Sequence, residues 1–425
     1  MSRDFFLLWQ GQLVSQAGTQ MFMIALLLWL KHATGSATLV GLLMMVATLP
    51  GVILGPLGGA LADRHSRRAV LVVSDLVRGT TLVSLAAALF FFPDSHTTAV
   101  AWLFVAAVIG SCVAAVFQPA GLSLIPDLVP KERVASANSL TQASFQLCAL
   151  LSQAVGGVLF RVLGAPLLAL VDGATYFYSA VSEAFIRVPP RAAPVASTAP
   201  AGRRMLAEIR QALAYIQERE GMRMLFYTAA LLRFFMVPFS LLFPFYVEGH
   251  LKATPDWYGF LVAAAGLGGL VGFIVAGTFK TGRAAGARVI PICLLLASIG
   301  LGALGLVSRP WMALVLVLGV GLLNGLVNIK LITLLQVSTP TEVRGRVFGV
   351  LRTITEGLAP LAMAITGVVA DLTGQNVGLI YVVCGGATAS LSLLMATSGE
   401  CRRFLATDMA PAPVSAQPAV QRGVA

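Results

Sequence analysis

"GALADRHSRRAV", residues 59–70, gathers Asp63, Arg64, His65, Arg67 and Arg68 into the short interval 63–68, with an uncharged run before it and an apolar run after it. The surroundings explain the clustering. No Asp, Glu, Lys or Arg lies between Lys31 and Asp63, between Asp94 and Asp127, or between Arg133 and Arg161. Each run exceeds the ~20 residues with which a helix crosses a ~30 Å hydrocarbon core. A charged turn between two such runs is the loop of a membrane hairpin, so the fold class is an all-α polytopic membrane protein. Composition agrees: 57% of residues are hydrophobic and 11% charged, where soluble domains carry about 25% charged residues.

Twelve transmembrane helices are expected, at 5–30, 38–61, 70–92, 99–124, 136–160, 164–186, 224–247, 257–279, 289–308, 311–335, 347–370 and 376–399. Ser36 and Thr254-Pro255-Asp256 supply helix-start signals before the second and eighth spans. No cleavable signal peptide is read, because the first apolar segment begins at Phe5 and a second span follows at once. Of 29 Lys and Arg, 21 fall on the side of the two termini, four on the opposite loops and four inside spans. The positive-inside rule then places both termini in the cytoplasm of a multi-pass cell (plasma or inner) membrane protein. It also accounts for the net charge of +11 as leaflet anchoring, with no nucleic-acid partner.

The chain divides six spans to six: a first half at 1–187, a linker at 188–223, a second half at 224–400 and a polar, disordered tail at 401–425. The linker passes from Pro/Ala-rich sequence into an amphipathic stretch with Leu206, Ile209, Leu213 and Ile216 on one face. Offset by 210 residues, Pro130 meets Pro340, Glu132 meets Glu342, Gly157 meets Gly367 and Gly164 meets Gly374. Near the second span the offset becomes 218, with Gly41 over Gly259 and Gly59 over Gly277. Ordered self-similarity of this kind marks parallel repeats.

At these residues the chain resembles the major facilitator superfamily. Gly59, Asp63, Arg64, Arg67 and Arg68 match its signature loop between helices two and three, and Ser66 stands where glycine is usual. "LLWQGQLVSQAGTQM" (7–21) and "FQPAGLSLIPDLVPKERVASANSL" (117–140) resemble the efflux branch that includes macrolide exporters and the enterobactin exporter. The resemblance implies two six-helix, pseudo-symmetric halves. It also implies proton-coupled export of an amphiphilic drug-, macrolide- or siderophore-like molecule by rocker-switch alternating access. The signature loop would act as a cytoplasmic gating motif, Asp63 facing the start of helix eleven, "EVRGRVFG". The alternative is that the arginines only enforce topology. Two departures from the family pattern stand out. Helix five carries Ser152-Gln153 in place of a Gly-Pro hinge, whereas helix eleven holds Gly357 and Pro360; Thr19 occupies a position where relatives often have aspartate.

Ionisable groups inside spans are costly and are functional candidates by default. Asp75, Asp172, Glu183 and Glu356 oppose Arg78, Arg233, Lys330 and Arg352. Asp75 and Arg78 read as a structural pair. Glu356, ~15 Å deep at 1.5 Å per residue, is the first candidate for proton coupling, with Arg352 one turn away as its partner. The alternative is a static ion pair. The 210 offset lays both over Gln142 and Gln146, so the two halves are expected to present matched polar faces to a central, substrate-binding cavity. Asp172 is the rival coupling carboxylate or a solvated cap, and Glu183 a group free to snorkel. Arg233 and Lys330 either attract an anionic substrate or neutralise Asp172 and Glu356. Gln16, Gln20, Gln118, Asn324 and Asn328 either bind substrate or join helices.

"GLGGLVG" (266–272) imitates a dinucleotide turn but lies within a span, where small residues serve helix contact. No P-loop occurs, and the four histidines and five cysteines are scattered, so neither a metal nor a cofactor is expected and the chain reads as no enzyme. The expected partners are a small-molecule substrate, protons and the lipid bilayer, with the chain a monomer. A facilitator or importer, or a non-transporting membrane scaffold or sensor, are the alternative readings.

Overall fold

The protein is seen as a computed structural model that describes residues 2–64, 66–92, 95–187, 210–211, 213–218, 220–278, 283–339 and 341–405. Among these residues the chain is helical throughout, without strands. The helices are α1 (Arg3–Thr34), α2 (Ala37–Arg64), α3 (Arg67–Phe91), α4 (His96–Leu128), α5 (Val134–Ala184), α6 (Glu220–Leu241), α7 (Asp256–Thr278), α8 (Arg283–Leu304), α9 (Pro310–Ser338), α10 (Thr341–Gly357), α11 (Ala359–Leu372), α12 (Val377–Thr397) and α13 (Gly399–Leu405). Ten described segments are long and apolar enough to cross a membrane. The first arm of α5 and the shorter 288–304 helix complete the expected set of spans.

The breaks are placed by local chemistry. α5 contains two spans joined at Gly164, whose φ of 72° and ψ of 169° are open to glycine and strained for any other residue. Its repeat mate Gly374 has φ 64° and closes the turn between α11 and α12. Gly35 and Lys252, with φ 65° and 51°, close the first turn of each half. The sequence repeat is therefore a repeat of backbone geometry. α10 and α11 are one span broken at Leu358, because Pro360 has no N–H to offer the Glu356 carbonyl. Ser66 caps α3 by accepting from the Ala69 N–H, at φ −60°, so its position has no need of glycine.

The halves meet mainly at the face away from the termini, here the far face. A Cβ on Gly367 would lie 2.5 Å from the Ala37 carbonyl, and one on Gly41 would lie 3.1 Å from Gly367 Cα. In the mirrored contact, a Cβ on Gly157 would lie 2.8 Å from the Pro255 carbonyl. Burial follows the same division. One apolar cluster near the far face joins both halves, from Leu28 and Leu43 to Tyr246 and Tyr381. Toward the termini it gives way, among the described residues, to two separate clusters. Phe5, Leu71 and Leu124 belong to the first half, and Met222, Leu334 and Val350 to the second. "GLGGLVG" serves helix contact as expected, with Gly268 and Gly272 of α7 against the Leu318 and Leu322 backbone of α9.

The Pro/Ala-rich linker, Leu206 and Ile209 lie outside the described residues, as does 406–425. Ile216 is buried with Met222, Cys401 and Leu405. The tail read as starting at 401 begins later, since α13 is helical to Leu405 and buries Cys401 and Leu405. A Cβ on Gly221 would press on the Glu400 backbone and Phe404, which explains how this short helix is held.

Candidate functional site

Between the halves lies a cavity of about 810 Å3. Its wall is apolar and methionine-rich, with Met23, Met44, Met236 and Met363 joined by Phe239 and Phe243. Its polar groups are few: Gln20 from α1, Arg233 and Ser240 from α6, Asn324 and Asn328 from α9, and Thr355 from α10. Such a pocket, apolar with a small number of placed polar groups, holds an amphiphilic molecule and fixes its orientation. Unbranched methionines let the wall adapt to different shapes.

Glu356 reaches across to Arg233, Oε1 3.8 Å from Nη2, with both side chains about half exposed. The α6 arginine is thus one partner of Glu356 among the described residues. Arg352 lies in α10, but its side chain is outside the described set. Of the remaining substrate-cavity candidates, Gln16, Gln118, Gln142, Gln146 and Lys330 are not among the lining residues. Gln118, Gln142 and Gln146 are exposed. Lys330 is buried and does not lack a partner.

Asp172 is 1% exposed, which removes the reading of a solvated cap. It accepts from Thr19 Oγ1 at 3.2 Å, and the same hydroxyl lies 2.8 Å from the Tyr176 hydroxyl. Thr19 thus joins α1 to an acid on the second arm of α5. Glu183 does not snorkel: it is fully buried. The sixth span turns it toward α3 and away from the membrane surface.

Near the termini, Arg67 pairs with Asp127 and donates to the Ser123 carbonyl at 2.7 Å, while Arg68 donates to the Ile186 carbonyl at 3.2 Å. These two arginines brace α3 against α4 and the end of α5. Gly59, Asp63 and Arg64 occupy the last turns of α2, where the placement of side chains lies outside what the structure describes.

Three sets of contacts that were not singled out from the sequence close the far face. Asp371 accepts from Ser36 Oγ at 2.7 Å and from the Ala37 and Thr38 N–H groups at 2.9 Å, so α11 caps the N-terminus of α2. Glu248 takes both Lys31 and His32, the latter at 2.9 Å. Arg161 pairs with Asp256 at 2.7 Å, where the first half meets the start of α7. All three join one half to the other.

A family model described as the Major Facilitator Superfamily matches residues 8–364. The chain belongs to the Major Facilitator Superfamily. Members of the superfamily are transporters and not enzymes, and they carry small-molecule substrates. Macrolide efflux protein A of Streptococcus pyogenes is 23% identical over 379 residues, spanning 88% of this chain and 90% of that protein. The multidrug efflux pump Tap of Mycolicibacterium fortuitum is 26% identical over 384 residues, spanning 86% and 88%. Among solved structures, the nucleoside transporter NupG superposes with a TM-score of 0.71 at 13% identity, covering 92% of this chain and 98% of that one. This superfamily member is thus a multi-pass membrane transporter with efflux pumps among its relatives.

Proposed function

We propose that this transporter exports amphiphilic small molecules, macrolides among them, in exchange for protons. The halves 1–187 and 224–400 rock about the central cavity, joined by 188–223. The carrying observation is the burial pattern among the described residues: one apolar cluster shared by both halves at the far face, and two separate clusters toward the termini. With the termini in the cytoplasm of the cell membrane, as the Lys/Arg asymmetry requires, the cavity is in its cytoplasm-facing state and a cargo enters from the cell interior.

In this reading the apolar wall selects by size and greasiness, and Gln20, Asn324 and Asn328 accept or donate single hydrogen bonds. Arg233 and Glu356 form the switch. A cationic cargo breaks the pair and changes the charge facing the cavity. The Arg68 and Arg67 contacts anchor the cytoplasmic end, with Asp63 and Arg64 completing the gating motif. Names of relatives that handle macrolides and multiple drugs support the cargo class.

The test is transport by purified protein in proteoliposomes with an entrapped pH dye, using erythromycin and ethidium as probes. Counterflow of probe and protons, abolished by Glu356→Gln, is the expected result. Probe movement down its gradient with no proton movement would identify a facilitator instead.

A further inference from the structure

A second polar system lies inside the first half, away from the cavity. α3 and the second arm of α5 cross almost backbone to backbone, since a Cβ on Gly79 would lie 3.1 Å from the Gly173 carbonyl and one on Gly173 would lie 3.2 Å from the Gly79 carbonyl. One turn toward the termini from this crossing, α3 presents Asp75 to the face of α5 that carries Tyr176, Ser179 and Glu183. Asp75 and Glu183 are both 0% exposed, and neither carboxylate has a hydrogen bond of good geometry, the polar side chains nearest them being Ser179 and Gln12. The buried Ser179 hydroxyl stands beside Asp75.

The cation in reach is Arg78. Its Nη1 stands 4.0 Å from Asp75, and its guanidinium lies 4.6 Å from the Phe117 ring and 5.5 Å from the Tyr176 ring. From Tyr176 the line continues through Thr19 to Asp172. The groups facing this line are Asp75 and Arg78 from α3, Asp172, Tyr176 and Glu183 from α5, Gln12, Ser15 and Thr19 from α1, and Phe117 from α4. Between Asp172 and Glu183 it runs ~16 Å at 1.5 Å per residue, about half of a ~30 Å hydrocarbon core. None of its ionisable groups lines the cavity.

We propose that Asp75 and Glu183, with Arg78 and Asp172, form a proton-binding thread through the first half, and that the coupling proton travels along it while the cargo occupies the separate central cavity. The geometry forces the first part. One guanidinium faces three buried carboxyl groups, and an unpaired buried carboxylate is far costlier than the neutral acid. A neutral acid on Asp75 or Glu183 balances the charge. Its proton leaves as H+ and regenerates the carboxylate when Arg78 swings toward the vacated group. The second part rests on the proton-coupled reading above.

The test begins without any cargo. Full-length protein in nanodiscs is titrated and followed by infrared difference spectroscopy. The expected result is a carboxylic-acid C=O band that is present at neutral pH, vanishes on alkalinisation and is lost in Glu183→Gln. Isotopic labelling of aspartate and of glutamate in the unmutated chain assigns the band should Asp75→Asn fail to fold. A wild type with no titrating acid band, or a band that survives Glu183→Gln and shifts with neither label, overturns the thread. The second arm measures erythromycin-driven proton flux in proteoliposomes, where Glu183→Gln is expected to lower flux by about 100-fold with erythromycin binding retained. Undiminished flux in that variant overturns the coupling role and returns it to Glu356. A titrating band in a wild type that drives no proton flux overturns proton-coupled export and leaves the proton site standing.

Discussion

Replacing Gly41 and Gly367 with alanine is expected to prise open the far face. The magnitude follows from geometry: a Cβ on Gly367 would sit 2.5 Å from the Ala37 carbonyl and 3.0 Å from Thr38 Cα, against ordinary contacts that begin at 3.4 Å. α2 and α11 must part by roughly 1 Å, a gap that forfeits a quarter to a half of each contact's attraction. Neither obstacle is the end of a flexible side chain; both belong to backbone and cannot swing away. Overpacking at such a site costs about 1–3 kcal/mol, and the closed state alone bears it, because the two helices separate when the far face opens. The equilibrium between the two states therefore moves by about 5- to 150-fold. Spin labels at Ala33 and Thr373 read this directly as a distance distribution across the far face. Wild type should give one short distance, and the double variant a second, longer population. A single unchanged distance in a well-folded double variant would refute the assignment of this contact as the seal.

Other substitutions separate stability from transport. Asp371→Ala removes three hydrogen bonds to the start of α2, a capping loss of about 1–2 kcal/mol. It should lower the thermal midpoint and lengthen the same spin-label distance. Arg233→Gln and Glu356→Gln break a pair exposed to the cavity, worth about 0–1 kcal/mol, so melting should stay put while probe export in proteoliposomes collapses. Gly374→Ala meets no neighbouring atom but must hold φ 64°. A cost of about 1–2 kcal/mol in detergent unfolding would then be purely backbone. Burial pushes the Cys401 thiol up to about 11, so at neutral pH little thiolate exists there. Maleimide should label it only after unfolding, and a native-state rate comparable to a free thiol would show α13 undocked.

The spans were legible because charge-free runs of that length have one structural solution in a bilayer. The repeat was legible too: Gly164 and Gly374, aligned from sequence, both take a positive φ. Charge partners were harder. Helix spacing offered Arg352 to Glu356, and Arg233 from α6 also comes within 3.8 Å of that carboxylate, a contact between distant segments that packing sets and spacing cannot show. Asp75 and Glu183 share no sequence signal. Their meeting depends on the crossing of Gly79 with Gly173, and small residues mark close approach without naming the partner. The cap on α2 escaped notice for a related reason. A helix start such as Ser36-Ala37-Thr38 is a natural anion seat, but its acid lies 335 residues away at Asp371.

The break at Leu358 carries a last consequence. An intact helix resists bending because each degree of bend stretches hydrogen bonds on its convex side. Here the Glu356 carbonyl cannot take its helical hydrogen bond from residue 360, which is a proline. That span can flex like a jointed rod at almost no elastic cost, α11 staying pinned to α2 while α10 swings with the cavity wall. The joint sits beside the carboxylate whose charge the cavity senses, so a change of charge acts on the one point in the helix that offers least resistance to it.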